Sequence, residues 1–140
     1  MKASLLDINV LLALAWPNHQ HHAQGQAWFA ENASQGWATC ALTQLGFIRL
    51  SSNPAFTVNA VSPRHAAVLL SAWTQHAAHQ FLPSPPAEGP SIYESVLGHQ
   101  QVDDAWLVEV ARQTNGCLVT LDKRVAAHAT AEGLVEVIGS

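Results

Sequence analysis

The run Ala3-Ser4-Leu5-Leu6-Asp7-Ile8-Asn9-Val10-Leu11-Leu12-Ala13-Leu14-Ala15-Trp16-Pro17 decides how the chain is built. Ala3 to Leu6 is a short apolar run ended by an acid, and Val10 to Trp16 is a longer one stopped by Pro17, which cannot continue a helix. The reading is strand, turn, helix, with Asp7 at the carboxyl end of the strand. A second run, Cys117-Leu118-Val119-Thr120-Leu121, also ends on an acid, Asp122. Two strands that each deliver a carboxylate at the same end are the feature from which the rest is read.

Between these runs, apolar strands alternate with helices. Ala23, Ala27, Trp28 and Ala30 fall at helical spacing from His19 to Ser34, and Gly36 closes that segment. Trp37 to Cys40 reads as a strand. Thr43 is expected to cap a helix running to Leu50, which Ser51-Ser52-Asn53-Pro54 ends. Ser62-Pro63 starts a further helix, with Val68, Leu69, Ala72 and Trp73 as its expected buried stripe. His79 to Leu82 is a third strand. Pro83 to Pro90 holds four of the seven prolines and a Gly, so it is an internal loop. Gln101 to Gln113 is a helix with Val102, Ala105, Trp106, Val108 and Val110 apolar and Asn115-Gly116 as its stop, and Leu134 to Ile138 is a last strand. Strands alternating with crossover helices predict a parallel sheet covered on both faces, with the site beyond the carboxyl ends of its strands.

Bulk properties bound the function. At 140 residues and 49% apolar, one well-filled core is expected, and residues 1–140 are read as a single domain. Charged residues make up only 11%, and there are five Trp, so an apolar face covered by a partner is expected. Trp16, Trp28 and Trp73 are the candidates for it, facing a second copy in a homodimer or an inhibitor. A net charge of −4 excludes binding nucleic acid through a broad basic surface. Cys40 and Cys117 read as buried thiols in a reducing compartment, and no apolar run approaches the ~18 residues of a membrane span. The expectation is a cytoplasmic protein without a membrane partner.

Asp104 lies in the first turn of the Gln101 helix, where the positive end of the helix dipole favours a carboxylate, and Asp103 stands roughly 100° round the helix from it. Acids brought to one point repel one another unless a cation occupies the centre, and Mg2+, with Mn2+ as a substitute, prefers such oxygen ligands. From residue types alone two readings stand: a metal site, or acids that merely end strands and cap a helix. His19, His21 and His22 crowd the entry to the second helix without zinc spacing, which suits a helix cap or an RNA contact. His99 precedes the acidic helix and reads as a structural hydrogen-bonding group.

With Leu5-Leu6-Asp7-Ile8-Asn9-Val10-Leu11-Leu12, Thr43-Gln44-Leu45-Gly46-Phe47, Val102-Asp103-Asp104-Ala105-Trp106-Leu107 and Leu118-Val119-Thr120-Leu121-Asp122, the chain resembles the PIN-domain ribonucleases, in particular VapC-type toxins of toxin–antitoxin pairs. The resemblance spans almost the whole chain. It implies a three-layer α/β/α fold with a central, mainly parallel sheet of about five strands. It also implies a Mg2+-dependent endoribonuclease with Asp7, Asp104 and Asp122 as catalytic and metal-binding residues, and Asn9 as the polar companion of the first acid. Where many relatives carry a Glu this chain has Gln44, an amide that adds no charge and is a poor base. Asp103 could restore one negative charge. Thr120 could orient a ligand or the scissile phosphate, Lys123 and Arg124 could hold flanking RNA phosphates or be surface charge, and Arg49 could pair an acid or touch phosphate. The implied partners are an RNA substrate and a VapB-like antitoxin. The alternative is a catalytically weakened RNA-binding or scaffold version of the same fold, which Gln44 favours.

Overall fold

The computed structural model describes residues 3–126 and 133–139. Five strands form one sheet in the order β3-β2-β1-β4-β5, every neighbouring pair parallel. They are β1 (Ser4–Leu6), β2 (Trp37–Thr39), β3 (His79–Phe81), β4 (Cys117–Thr120) and β5 (Val135–Val137). The helices are α1 (Ile8–Ala15), α2 (His22–Asn32), α3 (Ala41–Ser51), α4 (Pro63–Thr74), α5 (Val102–Gln113) and α6 (Lys123–Ala126).

Side-chain alternation along the strands divides the core in two. Leu5, Ala38 and Leu118 face a cluster with Trp106, Leu107, Val110 and Val125 from α5 and α6. Leu6, Trp37 and Val119, one residue on or back, face Val10, Trp28, Phe47, Ala66 and Leu70 from α1 to α4. Helices therefore cover both faces, and the three-layer α/β/α expectation holds.

Two close approaches bring the site together. After α5, Asn115 takes φ 55° and Gly116 turns the chain into β4. A Cβ on Gly116 would lie 2.4 Å from the Ala3 carbonyl oxygen, so only glycine lets β4 settle beside β1 here. On the opposite face a Cβ on Gly46 would lie 2.2 Å from Ile8 Cδ1, which makes Gly46 the point where α3 closes on the start of α1.

Several expectations shift. α2 begins at His22, not His19, because His19 and His21 form a turn in which the His21 N–H donates to His19 Nδ1 at 3.0 Å. Its buried residues are Gly25 and Trp28, whereas Ala23, Ala27 and Ala30 are exposed. α3 is capped by Cys40, and Thr43 is its third residue, reaching back so that its Oγ1 accepts from the Cys40 N–H at 3.0 Å. α4 does start at Ser62-Pro63, with the Ser62 Oγ accepting from the His65 N–H. Its buried residues, however, are Ala66 and Leu70, while Val68 is 54% exposed and Ala72 is exposed too. Small Ala66 permits the close approach, and that sets the phase of the helix.

Trp28 is buried, with its Nε1 donating to Glu136 Oε2 at 2.8 Å, so it is not available to a partner. Trp16 and Trp73 are half-buried, the first donating to Ser51 Oγ at 2.9 Å and the second packed edge-on against Phe29. The exposed large apolar residues are others, among them Val58 and Leu97. Cys40 is buried as expected, whereas Cys117 is half-buried. Among the described residues no helix is long and apolar enough to cross a membrane.

Candidate active site

β1 and β4 are adjacent, so the residues that follow them are brought side by side. Asp7 caps α1, its Oδ1 accepting from the Ile8 N–H at 2.7 Å. Its other oxygen, Oδ2, accepts from the Thr120 hydroxyl at 2.7 Å. The same Thr120 Oγ1 accepts from Asn9 Nδ2 at 3.2 Å and from the Asp122 N–H at 3.1 Å. Asn9 returns across the gap, its Oδ1 accepting from the Leu121 N–H at 3.1 Å. One hydroxyl thus ties both strand ends together and sets the direction in which Asp7 points.

α5 contributes the third acid. Of the adjacent pair in its first turn, Asp103 is exposed and Asp104 is half-buried facing a cavity of about 550 Å3 that Asp7, Asn9 and Asp122 also line. Burial raises the pKa of Asp104 first, then the negative charges of Asp7, Asp122 and Asp103, and together they push it up to about 6. Burial also raises Asp7, against the opposing hydrogen bonds of Thr120 and Ile8. Asp122 behaves oppositely: the Arg124 guanidinium grips it through Nε at 3.1 Å and Nη2 at 3.0 Å and holds its pKa below the usual carboxylate range.

These residues suit a hard cation. The three acids and Asn9 offer oxygen ligands, and the part of the Asp104 shift that comes from its acidic neighbours would be relieved by positive charge. Among the described residues, no three His, Cys, Asp or Glu side chains form a ready-made ion-holding group. The oxygen-rich acids suit a hard divalent cation.

The other sequence candidates are placed as follows. His19 and His21 line the acidic cavity, whereas the His22 ring nitrogen Nδ1 pairs with the Ala13 carbonyl at 2.7 Å and serves the packing of α1 against α2. His99 is exposed in the turn before α5. Lys123 and Arg49 are exposed, and Arg124 is engaged with Asp122. Gln44 donates through Nε2 to Thr39 Oγ1 at 2.9 Å, and that oxygen also pairs with His79 Nε2 at 2.8 Å. Its amide therefore belongs to a neutral group at the end of β2. Gln20 and Phe56 line the acidic cavity and were not singled out from sequence, since both stand in loops without periodicity to mark them.

The comparisons with known proteins agree with this arrangement. The PIN domain model matches residues 4–131. The chain belongs to the PIN domain family. It is similar to ribonuclease VapC39 of Mycobacterium tuberculosis, 43% identical over 96% of this chain and 99% of the relative. Ribonuclease VapC38 of the same organism is 41% identical over 87% of this chain and 86% of the relative, and ribonuclease VapC44 is 37% identical over 90% of each. This is a VapC-type PIN domain. The crystal structure of PAE2754 from Pyrobaculum aerophilum shares the fold, with a TM-score of 0.65 at 23% identity over 97% of this chain and 84% of that one.

Proposed function

We propose that this chain is the toxin of a toxin–antitoxin pair, a cytoplasmic endoribonuclease that uses Mg2+, or Mn2+ in its place, at Asp7, Asp104 and Asp122. The observation that carries the reading is the convergence of three carboxylates from three elements on one cavity, with Asp104 lifted to about 6 by burial and its acidic neighbours. Such a residual repulsion in a cleft marks a site that is completed by a cation. When bound, the ion supplies polarisation of a phosphate and acidification of a water.

The protein side of the reaction follows from the hydrogen bonds. Thr120 fixes Asp7, and Asn9 locks the β4 end that carries Asp122, so two of the acids are held without freedom to drift. Asp104, at the start of a helix, is the group whose protonation state changes near neutral pH. Lys123, exposed beside Asp122, would meet a flanking phosphate.

Two partners accompany this proposal. A VapB-like antitoxin would inhibit most simply by laying a guanidinium into the acids, and the bidentate grip of Arg124 on Asp122 illustrates that chemistry within the chain. A homodimer would cover exposed apolar residues such as Val58 and Leu97, which light scattering tests directly.

The second reading, a catalytically weakened RNA-binding protein, is favoured by one observation: Gln44 is turned to Thr39 and adds no charge to the acids. Cleavage of single-stranded and structured RNA during Mg2+ and Mn2+ titration separates the two. Ion-dependent cleavage that disappears in Asp7→Asn supports the nuclease; RNA binding without cleavage at any ion concentration supports the alternative.

A further inference from the structure

A second cavity, of about 190 Å3, adjoins the acidic one and shares Leu12, His19, Gln20 and Phe56 with it. The loop after α1 supplies Asn18, His19 and Gln20, and the loop after α3 supplies Phe56, Thr57 and Asn59. Its floor is rigid, because Trp16 Nε1 donates to Ser51 Oγ at 2.9 Å and joins α1 to α3. The loop that carries Phe56 is held by the Asn53 side chain, which accepts from the Ala55 N–H at 2.9 Å, and by backbone bonds from Phe56 and Thr57 to the Asn53 carbonyl. Phe56 is nevertheless 50% exposed and lines both cavities.

The chemistry of the walls selects the occupant. Among the described residues no Asp, Glu, Lys or Arg lines this cavity, so it lacks the charge that would favour a phosphate. Three carboxamides and an imidazole offer both donors and acceptors, and Trp16 and Phe56 add aromatic surface, which is the combination that receives a nucleobase by stacking and by its hydrogen-bonding edge. The volume falls below that of a site for a drug-sized ligand, so it suits one ring system. The formal net charge of −4 also leaves no broad basic surface to hold the phosphate backbone. We infer that this cavity takes one unpaired base next to the bond cleaved at Asp7, Asp104 and Asp122, with Phe56 and Asn59 as the residues that receive it.

The inference rests on the nuclease reading for its place beside the cut, and the test separates the two. Wild-type protein and the Phe56→Ala and Asn59→Ala variants are given a single-stranded RNA pool with a randomised centre, and the cut ends are sequenced. Expected are a nucleotide preference at one position flanking the cut, flattened by Asn59→Ala, and a rise in KM of about tenfold in Phe56→Ala from lost stacking, larger than its effect on kcat. In EDTA, a short single-stranded RNA carrying 2-aminopurine is quenched by the wild type and not by Phe56→Ala, and its duplex is not engaged. Quenching without any cleavage by the wild type would discard the nuclease reading and keep the base site. Unchanged KM and unchanged preference in both variants, or no quenching by wild type, overturns the base site. So does a loss of protein-partner binding in these variants with RNA cleavage intact, which would make the cavity a docking surface.

Discussion

Two polar groups sit at the carboxyl ends of neighbouring strands, and they are built on opposite principles. At the end of β2, Gln44, Thr39 and His79 form a neutral chain in which each buried polar atom meets a partner. At the ends of β1 and β4, Asp7, Asn9, Thr120 and Asp122 are as thoroughly hydrogen-bonded, yet charge is left over. The neutral group is complete as it stands. The acidic one is held in position while burial, and then its acidic neighbours, disfavour the charge on Asp104, so its geometry is settled and its electrostatics are not. Acids raised by burial and by one another in a cleft are what a cation site offers, and that is the reading proposed for this group.

The sharpest way to break this contrast is to neutralise one acid on each side of the cavity. Asp7→Asn and Asp104→Asn are each expected to reduce ion-dependent RNA cleavage on the order of a thousandfold, equivalent to several kcal/mol of lost transition-state stabilisation. Asn still caps α1, so melting temperature should hold or rise. Retained cleavage in both variants, or unfolding of either, would end the metal-site account.

A smaller loss tests positioning. Thr120→Val keeps the shape of a buried side chain and removes the hydroxyl that serves Asp7, Asn9 and the Asp122 N–H. Removal of a group that orients ligating residues costs about 10–100-fold in metal affinity or activity. Mn2+ affinity by calorimetry is the readout, and an unchanged value would show that Asp7 needs no such tie.

Much of this was legible in the residues. Asp7 and Asp122 each end an apolar run, and a parallel sheet places all such ends on one side, so their convergence could be foreseen. Asp104 could be separated from Asp103 only as one of two, because the facing of a helix depends on its packing, here the burial of Trp106 and Leu107. Hydropathy points to Val68 on α4, whereas the positions buried by packing are Ala66 and Leu70, a phase that the helix's own residues do not fix. The role of Thr120 was underestimated, since a hydroxyl inside an apolar run looks like any strand Thr until its partners, 111 and 113 positions away, are known. The base cavity was not legible at all: it forms where two loops meet, and no local pattern records that meeting.

The pH dependence follows from Asp104. Its carboxyl titrates near 6 in the folded chain against an ordinary 3.8, so the folded state binds the proton more tightly than the unfolded one. Stability from this group is therefore present at low pH and is lost as pH rises from about 4 through about 6. Asp104→Asn in ion-free buffer should then stabilise the fold by about 1–2 kcal/mol at pH 8, after allowance for the group's partial exposure, and by almost nothing at pH 4. Added Mg2+ should raise the wild-type melting temperature and leave the variant nearly unmoved. Cleavage should fall at acid pH as protons compete with the ion for Asp104, and a higher ion concentration should move that fall to lower pH. A variant that is less stable than wild type at pH 8 would show that the carboxylate is not repelled.

The smallest effect is expected at Gln44, where the contrast between the two groups is most exposed to test. A Glu at this position cannot donate to Thr39, but the Thr39 hydroxyl can turn to donate to it while His79 Nε2 carries a proton and donates in turn. The new charge would be answered within the neutral group, drawing His79 upward from the depressed pKa that burial and His76 now impose. Gln44→Glu should consequently change stability by no more than about 1 kcal/mol and tighten Mn2+ only slightly, because the carboxylate is held by Thr39. Histidine NMR titration and calorimetry read the two halves. A tenfold gain in Mn2+ affinity with an unmoved His79 would mean that α3 serves the acids after all, and that the missing Glu, not the hydrogen-bonded frame, limits the ion site.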